Sequence, residues 1–465
     1  MSLRQIPRRL SLEERLEHAA SITNLAMLRT SSEPFHIQIQ TIKWLTFLLE
    51  SELRSLPPDD DFTRKKILAQ LDTNRLILAP IRRLPLELLS YIFSLVVKKS
   101  PLRTVNIAAA LSRICAAWRK VARAHPALWT TVYVENLNDF DEYRELFLPL
   151  TKDRPLELRC DDLEILEDLW DRMAPYAPRW RRITLGARHG RLPDLQVLHM
   201  ESLERLVVFA YDAPISSELS VLDFVVAPRL CHIGLTLDVL QSKRQLHVPV
   251  ARTLKSLMIE TIEPFPITRV LPLLLECAAT LRVLTLKIRD PLGGTEGSSP
   301  ACASDILVMP VLTDLRVNDS ACALLYHITT PLLEELVLST VPAYGSHMLL
   351  QFLTRSQASH HLLDFRVYKT EERDASTWFP CVELMHSLRD LHFDELLSNE
   401  DFLERMVLHA DKPPILPSLN KIAISNIYYR HIELRGLIRE MCKSRSTMIT
   451  IGGHRASLTL NWLAD

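Results

Sequence analysis

The eight cysteines are Cys115, Cys160, Cys231, Cys277, Cys302, Cys322, Cys381 and Cys442. No two are closer than 20 residues, so there is no C-x-x-C pair and no zinc-ligand spacing. Single thiols on apolar stretches behave as small hydrophobes, and that usage suits a reducing compartment. The 16 histidines follow no spacing rule that would gather a metal. His360-His361 sits just before Leu362, at the edge of an apolar element, where surface exposure is expected. No G-x-S-x-G, H-E-x-x-H or Walker-type loop occurs. Gly293, Gly294 and Gly297 lie in a Ser/Pro-rich stretch without the Lys and helix of a phosphate loop, so they read as an inserted loop. The residue types thus predict no catalytic group, no cofactor and no metal. A hydrolase using a Cys/His pair stands as the enzymatic rival, and it would need an activated thiol.

Composition narrows the class further. Of 465 residues, 47% are hydrophobic and 24% charged, enough for a packed core. Lys and Arg number 55 against 56 Asp and Glu, a net charge of −1. That balance gives no general attraction to nucleic acid or to an anionic membrane. No apolar run approaches the ~18 residues needed to cross a bilayer. Residues Met1 to Ser21 carry Arg4, Arg8 and Arg9 but no apolar segment, so neither a secretory nor a mitochondrial signal is expected. A cytoplasmic or nuclear chain follows. Two counts deviate: glycine is only 10 residues, and leucine is 83. So much leucine calls for a repeat search.

The elements that would position any site fall into three stretches, 1–80, 81–130 and 131–465. In the first, Ser11 and Glu14 form a capping-box pattern before a helix. Ile39, Ile42, Leu49, Leu53 and Leu56 make a helical stripe interrupted by Thr46, and Leu68, Leu71 and Leu78 continue it. This is the pattern of a short coiled coil, of a helical hairpin, or of helices packed on the next domain. In the second stretch, a helix runs from Pro85 through Phe93, a second covers Leu102–Ala110, and a third carries Leu111, Ile114, Cys115, Trp118, Val121 and Ala122. Pro at the first helical position and Glu87 in the first turn favour that start. Leu128-Trp129 closes the unit.

Beyond Trp129 one pattern recurs. Leu203-x-x-Leu206-x-Val208 returns at Leu230, Leu254, Leu281, Leu312, Leu333, Leu362, Leu388 and Leu419. The eight steps average 27 residues and run from 21 to 31. Degenerate copies stand at Trp180, Leu156 and Val132. Apolar residues two apart mark a short strand with one buried face. Helical stretches at Asp162–Met173, Ile267–Ala278, Ser346–Thr354 and Glu400–His409 lie between strands. One such unit cannot bury its face alone, so neighbours must stack. Pro228, Pro310, Pro331 and Pro417, each two residues before the first Leu, can end the preceding helix and enter the strand.

The segment Leu84-Pro85-x-Glu87-Leu88-Leu89-x-x-Ile92-Phe93, followed by Cys115-x-x-Trp118-Arg119-x-Val121-Ala122 and Pro126-x-Leu128-Trp129, resembles an F-box. With Leu78-Ala79-Pro80-Ile81-Arg82-Arg83 before it, the chain looks like the large F-box families of mushroom-forming fungi. The array behind it resembles leucine-rich repeats. The resemblance implies an α/β leucine-rich-repeat solenoid preceded by a three-helix F-box and a helical N-terminal region. It also implies binding to a Skp-family adaptor and, through it, a cullin–RING ubiquitin ligase. Carried over by position, Leu84, Pro85, Leu88, Leu89, Ile92, Phe93, Trp118, Leu128 and Trp129 would form or support the adaptor surface. Leu111, Ile114 and Val121 are expected inside.

In such an array the residues between inward positions face the open, concave side. They are Arg205, Val207, His232, Gly234, Met258, Thr285, Lys287, Arg316, Val337, Arg366, Tyr368, His392 and Asp394. Of these, Arg205, His232, Met258, Lys287, Arg316, Arg366, Tyr368, His392 and Asp394 are the candidate contacts for a protein substrate. Their mixed signs favour neither an all-anionic nor an all-cationic ligand. The expected function is that of a non-enzymatic substrate receptor acting by proximity. An interaction scaffold of the same fold without a ligase role is the alternative.

Overall fold

The computed structural model describes residues 11–23, 36–57, 59–99, 104–162, 164–187, 196–210, 225–237, 253–261, 266–288, 306–357, 360–372, 375–393, 400–407, 415–425, 436–437, 440–441, 443–444, 448–453 and 456–459. The chain divides into two units, one of residues 1–133 with 138–156, the other of 134–137 with 157–465.

The first unit opens with three helices, α1 (Leu12–Ile22), α2 (His36–Ser55) and α3 (Asp61–Leu78). Ser11 caps α1 through the expected box, with Glu14 N donating to Ser11 Oγ and Ser11 N donating to Glu14 Oε2. Asp60 caps α3 by accepting from Thr63 N at 3.1 Å. Ala19, Leu45, Leu49, Ile67 and Leu71 form their core. Leu68 does not continue the stripe and is exposed. Ile67, Leu71, Asn74 and Ile77 face inward instead. Asn74 is buried, accepting from Gln70 Nε2 at 2.9 Å and donating to Thr46 Oγ1 at 3.1 Å. Thr46, an interruption by composition, is thus a partner by geometry. Gln70 extends the network by donating to Thr23 Oγ1 at 2.6 Å.

Three further helices follow, α4 (Leu86–Lys98), α5 (Thr104–Ile114) and α6 (Ala116–Ala124). Pro85 is the N-cap residue of α4 rather than its first helical position, and α4 runs five residues past Phe93. The expected single helix through Leu111 and Val121 is two. Cys115 is extended, with φ of −157°, and its Sγ accepts from Trp118 N at 3.5 Å to start α6. Ile114, expected inside, is exposed at the end of α5. After strand β1 (Thr131–Val134) and helix α7 (Leu137–Glu142), residues 143–151 turn back onto the helices. Phe147 stacks on Trp129 at 5.2 Å, and Tyr143 Oη donates to Trp129 O at 2.8 Å.

The second unit is built on a parallel sheet. Its strands are β2 (Leu156–Cys160), β3 (Trp180–Ala187), β5 (Arg205–Ala210), β7 (His232–Leu237), β8 (Ser256–Thr261), β9 (Val283–Ile288), β11 (Asp314–Asp319), β13 (Glu335–Val341), β14 (Asp364–Thr370), β15 (Asp390–Phe393), β16 (Lys421–Ser425), β17 (Met448–Gly453) and β18 (Ala456–Thr459), side by side in that order. Two small sheets pair β4 (Leu198–His199) with β6 (Val225–Val226) and β10 (Leu307–Val308) with β12 (Ile328–Thr329). Strands β3 to β17 run parallel, and β18 returns antiparallel.

The leucine repeat sets the register. Leu206, Ile233, Leu257, Leu284, Leu315, Leu336, Phe365, Leu391 and Ile422 stand opposite one another on successive strands. All nine are buried. Their alternate neighbours point the other way, as a pleat requires. The four expected prolines sit in turns rather than at helix ends. Leu230 N donates to Ala227 O, Leu312 N to Met309 O, Leu333 N to Thr330 O, and Leu419 N to Leu416 O, leaving proline at the second position of each turn, where its fixed φ fits. Helices α8 (Leu166–Met173), α9 (Leu271–Cys277), α10 (Gly345–Ser356), α11 (Phe379–Glu383) and α12 (Glu400–Met406) join strands; α8, α9 and α12 are shorter than their expected spans, α10 is longer at both ends, and α11 stands where no helix is expected. The buried carboxylate of Glu372 holds the start of α10, accepting from Ser346 N at 3.0 Å and Ser346 Oγ at 2.5 Å. The inserted loop Leu292–Ser304 lies outside the described residues.

Candidate functional site

Helix α4 is apolar on two faces. Leu89, Phe93 and Val97, spaced by four, are buried with Ala108, Ala109, Val121, Ala122, Leu128 and Trp129. Leu88, Tyr91, Ile92 and Leu95, with Val96 and the first-turn Leu86, are exposed, Leu88 at 51% and Tyr91 at 60%. A surface helix normally gives one stripe to the core and the opposite one to polar residues. Here the opposite stripe is Leu, Tyr, Ile and Leu at i, i+3, i+4 and i+7. Such a face on a small unit marks an interaction site.

The nine candidate adaptor residues are divided by the fold. Pro85, Leu88 and Ile92 are exposed, and Leu84 and Trp118 are half-buried. Leu89, Phe93, Leu128 and Trp129 are inside the unit, each at most 3% exposed. Trp129 Nε1 donates to Ala122 O at 2.8 Å and its ring lies against Phe147. Phe93 meets Trp118 at 4.9 Å. These four fix the angle at which the exposed stripe is presented. Leu86, Tyr91, Leu95 and Val96 lie outside the sequence pattern, although the i, i+3, i+4, i+7 spacing from Leu88 marks two of them, Tyr91 and Leu95.

The polar edge of α4 is held from behind. Ser94 Oγ donates to Ser90 O at 3.0 Å, so it accepts from His125 Nε2 at 3.2 Å. His125 Nδ1 lies 2.9 Å from Ser90 Oγ, and a neutral ring with its proton on Nε2 accepts there. Burial, then the nearby Arg154 charge, keep its pKa below the ordinary value.

The second unit carries the other candidate residues on the outward side of its sheet. One register row holds Arg182, Arg205, His232, Ser256, Val283, Asp314, Glu335, Asp364, Asp390 and Lys421. The next holds Met258, Thr285, Arg316, Val337, Arg366 and His392. A third holds Lys287 and Tyr368. Asp394 lies outside the described residues. Arg316 donates to Asp314 at 3.0 Å and to Glu335 at 3.1 Å, and Arg366 donates to Asp364 at 2.9 Å. Those partners hold both guanidinium pKa values above the ordinary range, the side-chain hydrogen bonds first. Glu335 is pushed up by burial and by Asp314. Tyr368 packs on His392 at 4.6 Å, and Lys287 pairs with Glu260 at 3.5 Å.

Burial raises the thiols. Cys160 is pushed up to about 11, and Cys277, Cys322 and Cys381 to about 12. A thiol so shifted is not an activated nucleophile at neutral pH. Among the described residues no three His, Cys, Asp or Glu side chains are grouped to hold a metal. No helix there is long and apolar enough to cross a membrane.

Residues 81–135 match the family model described as F-box-like. That span is α4 to α6 with the turn carrying Leu128 and Trp129, the piece that presents the exposed stripe. No curated protein matches the chain.

Proposed function

We propose that this chain is a substrate-recognition subunit of a cullin–RING ubiquitin ligase, its F-box-like segment docking a Skp-family adaptor and its repeat sheet holding a protein substrate. The observation that carries the reading is the second apolar face of α4, with Leu88, Tyr91, Ile92 and Leu95 uncovered. An amphipathic helix offering such anchors suits a groove on another chain. In this reading Pro85, Leu88 and Ile92 touch the adaptor beside Tyr91 and Leu95, Leu84 and Trp118 border the contact, and Leu89, Phe93, Leu128 and Trp129 support it. The sheet acts as a leucine-rich-repeat solenoid of the kind found in the expanded fungal families. The chain performs no chemistry: it raises the effective concentration of substrate beside a ubiquitin-charged partner. That work belongs in the cytosol or nucleus and involves neither nucleic acid, membrane nor cofactor.

The test is co-expression with a Skp-family adaptor followed by size-exclusion chromatography. The expected result is a one-to-one complex that survives the column. A chain that elutes monodisperse and alone, whether or not adaptor is present, would favour a scaffold without a ligase role.

A further inference from the structure

Helix α2 has a second apolar face that its own bundle does not use. On its inner side Ile42, Leu45 and Leu49 are buried, the last two packed with Ala19 of α1 and with Ile67 and Leu71 of α3. On the opposite side Ile37, Trp44 and Phe47 are exposed, at 60%, 39% and 64%. Their spacing, i, i+7 and i+10, is that of the a and d positions of a heptad. Gln40 and Ser51, both exposed, continue the same line. The neighbouring helices are fixed elsewhere around α2: Arg15 of α1 pairs with Glu52, and Arg75 of α3 pairs with Glu50 at 3.1 Å. Nothing covers the stripe among the described residues. Phe62, Leu68 and Leu76 of α3 are exposed too, but Lys66 lies over the Phe62 ring at 4.4 Å, and Lys65 and Asp72 stand among the three, so no unbroken apolar strip forms there.

The flanks of the stripe say what covers it. Lys43 and Glu50 stand seven residues apart on one flank, and Thr41 and Leu48 stand seven apart on the other. Lys43 has no ion-pair partner among the described residues, and Arg75 engages only Oε1 of Glu50. Read in the opposite direction, this pattern complements itself. Two such helices laid antiparallel, with Trp44 against the partner's Phe47, bring Lys43 to the partner's Glu50 and Glu50 to the partner's Lys43. Thr41 then meets the partner's Leu48, and the stem of Arg54 lies over the partner's Ile37. A parallel pair sets Lys43 beside the partner's Leu48 and matches no charge. We infer that α2 is the contact between two copies of this chain, paired antiparallel in that register. At about 200 Å² for a whole side chain, Ile37, Trp44 and Phe47 leave roughly 330 Å² uncovered per chain, and the flanking groups add about as much again. Two copies together then bury roughly 1,300 Å², just above the lower limit of a specific interface, which makes the pair a reversible dimer rather than a permanent one. Such a dimer carries two α4 stripes and two repeat sheets in one particle, so its binding to a repetitive partner is bivalent.

The experiment is sedimentation equilibrium of the full chain without adaptor. The mean mass should rise from one chain towards two between about 1 and about 100 µM, as mass action requires of a weak dimer. Phe47→Glu, at an exposed side chain, should move that rise at least about tenfold up in concentration with the circular dichroism unchanged. Lys43→Glu and Glu50→Lys should each do the same, because each sets like charges against one another at both contacts of the pair. An equal mixture of the two charge variants places opposite charges at both contacts again, so the rise should return to the wild-type concentration. That recovery is specific to the antiparallel register and does not follow from any change in the fold of either variant. A wild type that stays at the mass of one chain throughout, a dimer that none of the three variants weakens, or charge variants that fail to pair when mixed would overturn the proposal. Adaptor capture plays no part in these readings, so their outcome is independent of the receptor reading.

Discussion

Ile92 and Phe93 are adjacent in the chain, and one step along α4 turns the side chain by about 100°. Phe93 is enclosed by Trp118 and the core, whereas Ile92 meets solvent. Substitutions at the two should therefore separate stability from binding. Phe93→Ala is expected to cost about 3–5 kcal/mol of folding stability. Ile92→Ser, at a side chain 36% exposed, should lower the melting temperature by less than Phe93→Ala does while weakening adaptor capture; thermal denaturation and a pull-down on the same preparations check both. His125 supplies a pH signature. Its folded pKa lies below the ordinary value, so folding favours the neutral ring. Its contribution is present above about pH 6.5 and is lost as pH falls through the folded pKa. Melting curves from pH 7.5 to 5 should fall more steeply for the wild type than for His125→Asn. The family pattern located these residues by position, but position does not tell faces apart when both faces of a helix are apolar. That is why the buried Leu89, Phe93, Leu128 and Trp129 share one sequence pattern with the exposed Leu88 and Ile92, while the exposed Tyr91 and Leu95 fall outside it.

At the level of elements, close approach decides more than propensity. A Cβ on Gly345 would lie 2.1 Å from Val341 Cγ1, so α10 can start where it does only with glycine there. Gly345→Ala should destabilise the second unit by about 1–3 kcal/mol as helix and strand are forced apart, read as an earlier transition in denaturant with adaptor capture unchanged. The strand register was legible because apolar residues two apart can face only one way, and a slip by one would expose all nine ladder residues. The break at Cys115 was not legible: Leu111, Ile114, Trp118 and Val121 keep helical spacing across it, and only the extended backbone and the sulfur cap reveal two helices. The proline turns were half legible, since proline marks a boundary without saying which side of it is helical. Asn74 and Thr46 were opaque, because a buried hydrogen bond between helices leaves no periodic trace.

For the whole molecule, composition and repeat excluded a membrane span and a glycine-loop nucleotide site, and they pointed to a stacked sheet. The division of labour between two units then has a mechanical consequence. A charge placed in the inward ladder, as in Leu315→Asp, buries an unpaired carboxylate in a dry core. It should collapse the sheet, read as an early loss of its circular-dichroism signal on heating, while the first unit still captures adaptor. Loss of adaptor capture as well would mean that the units do not fold separately. The direction of the exposed stripe could not be read from the chain, because it depends on which residues become neighbours when the helices pack. The account turns on α4 being made to be covered by another protein. The most direct measurement is a titration of Skp-family adaptor against the full chain and against Leu88→Glu, with melting temperatures matched. The expected result is tight binding by the wild type and a loss of at least a hundredfold in the variant, equivalent to about 3 kcal/mol. Undiminished binding by Leu88→Glu, or no binding by the wild type, would contradict it.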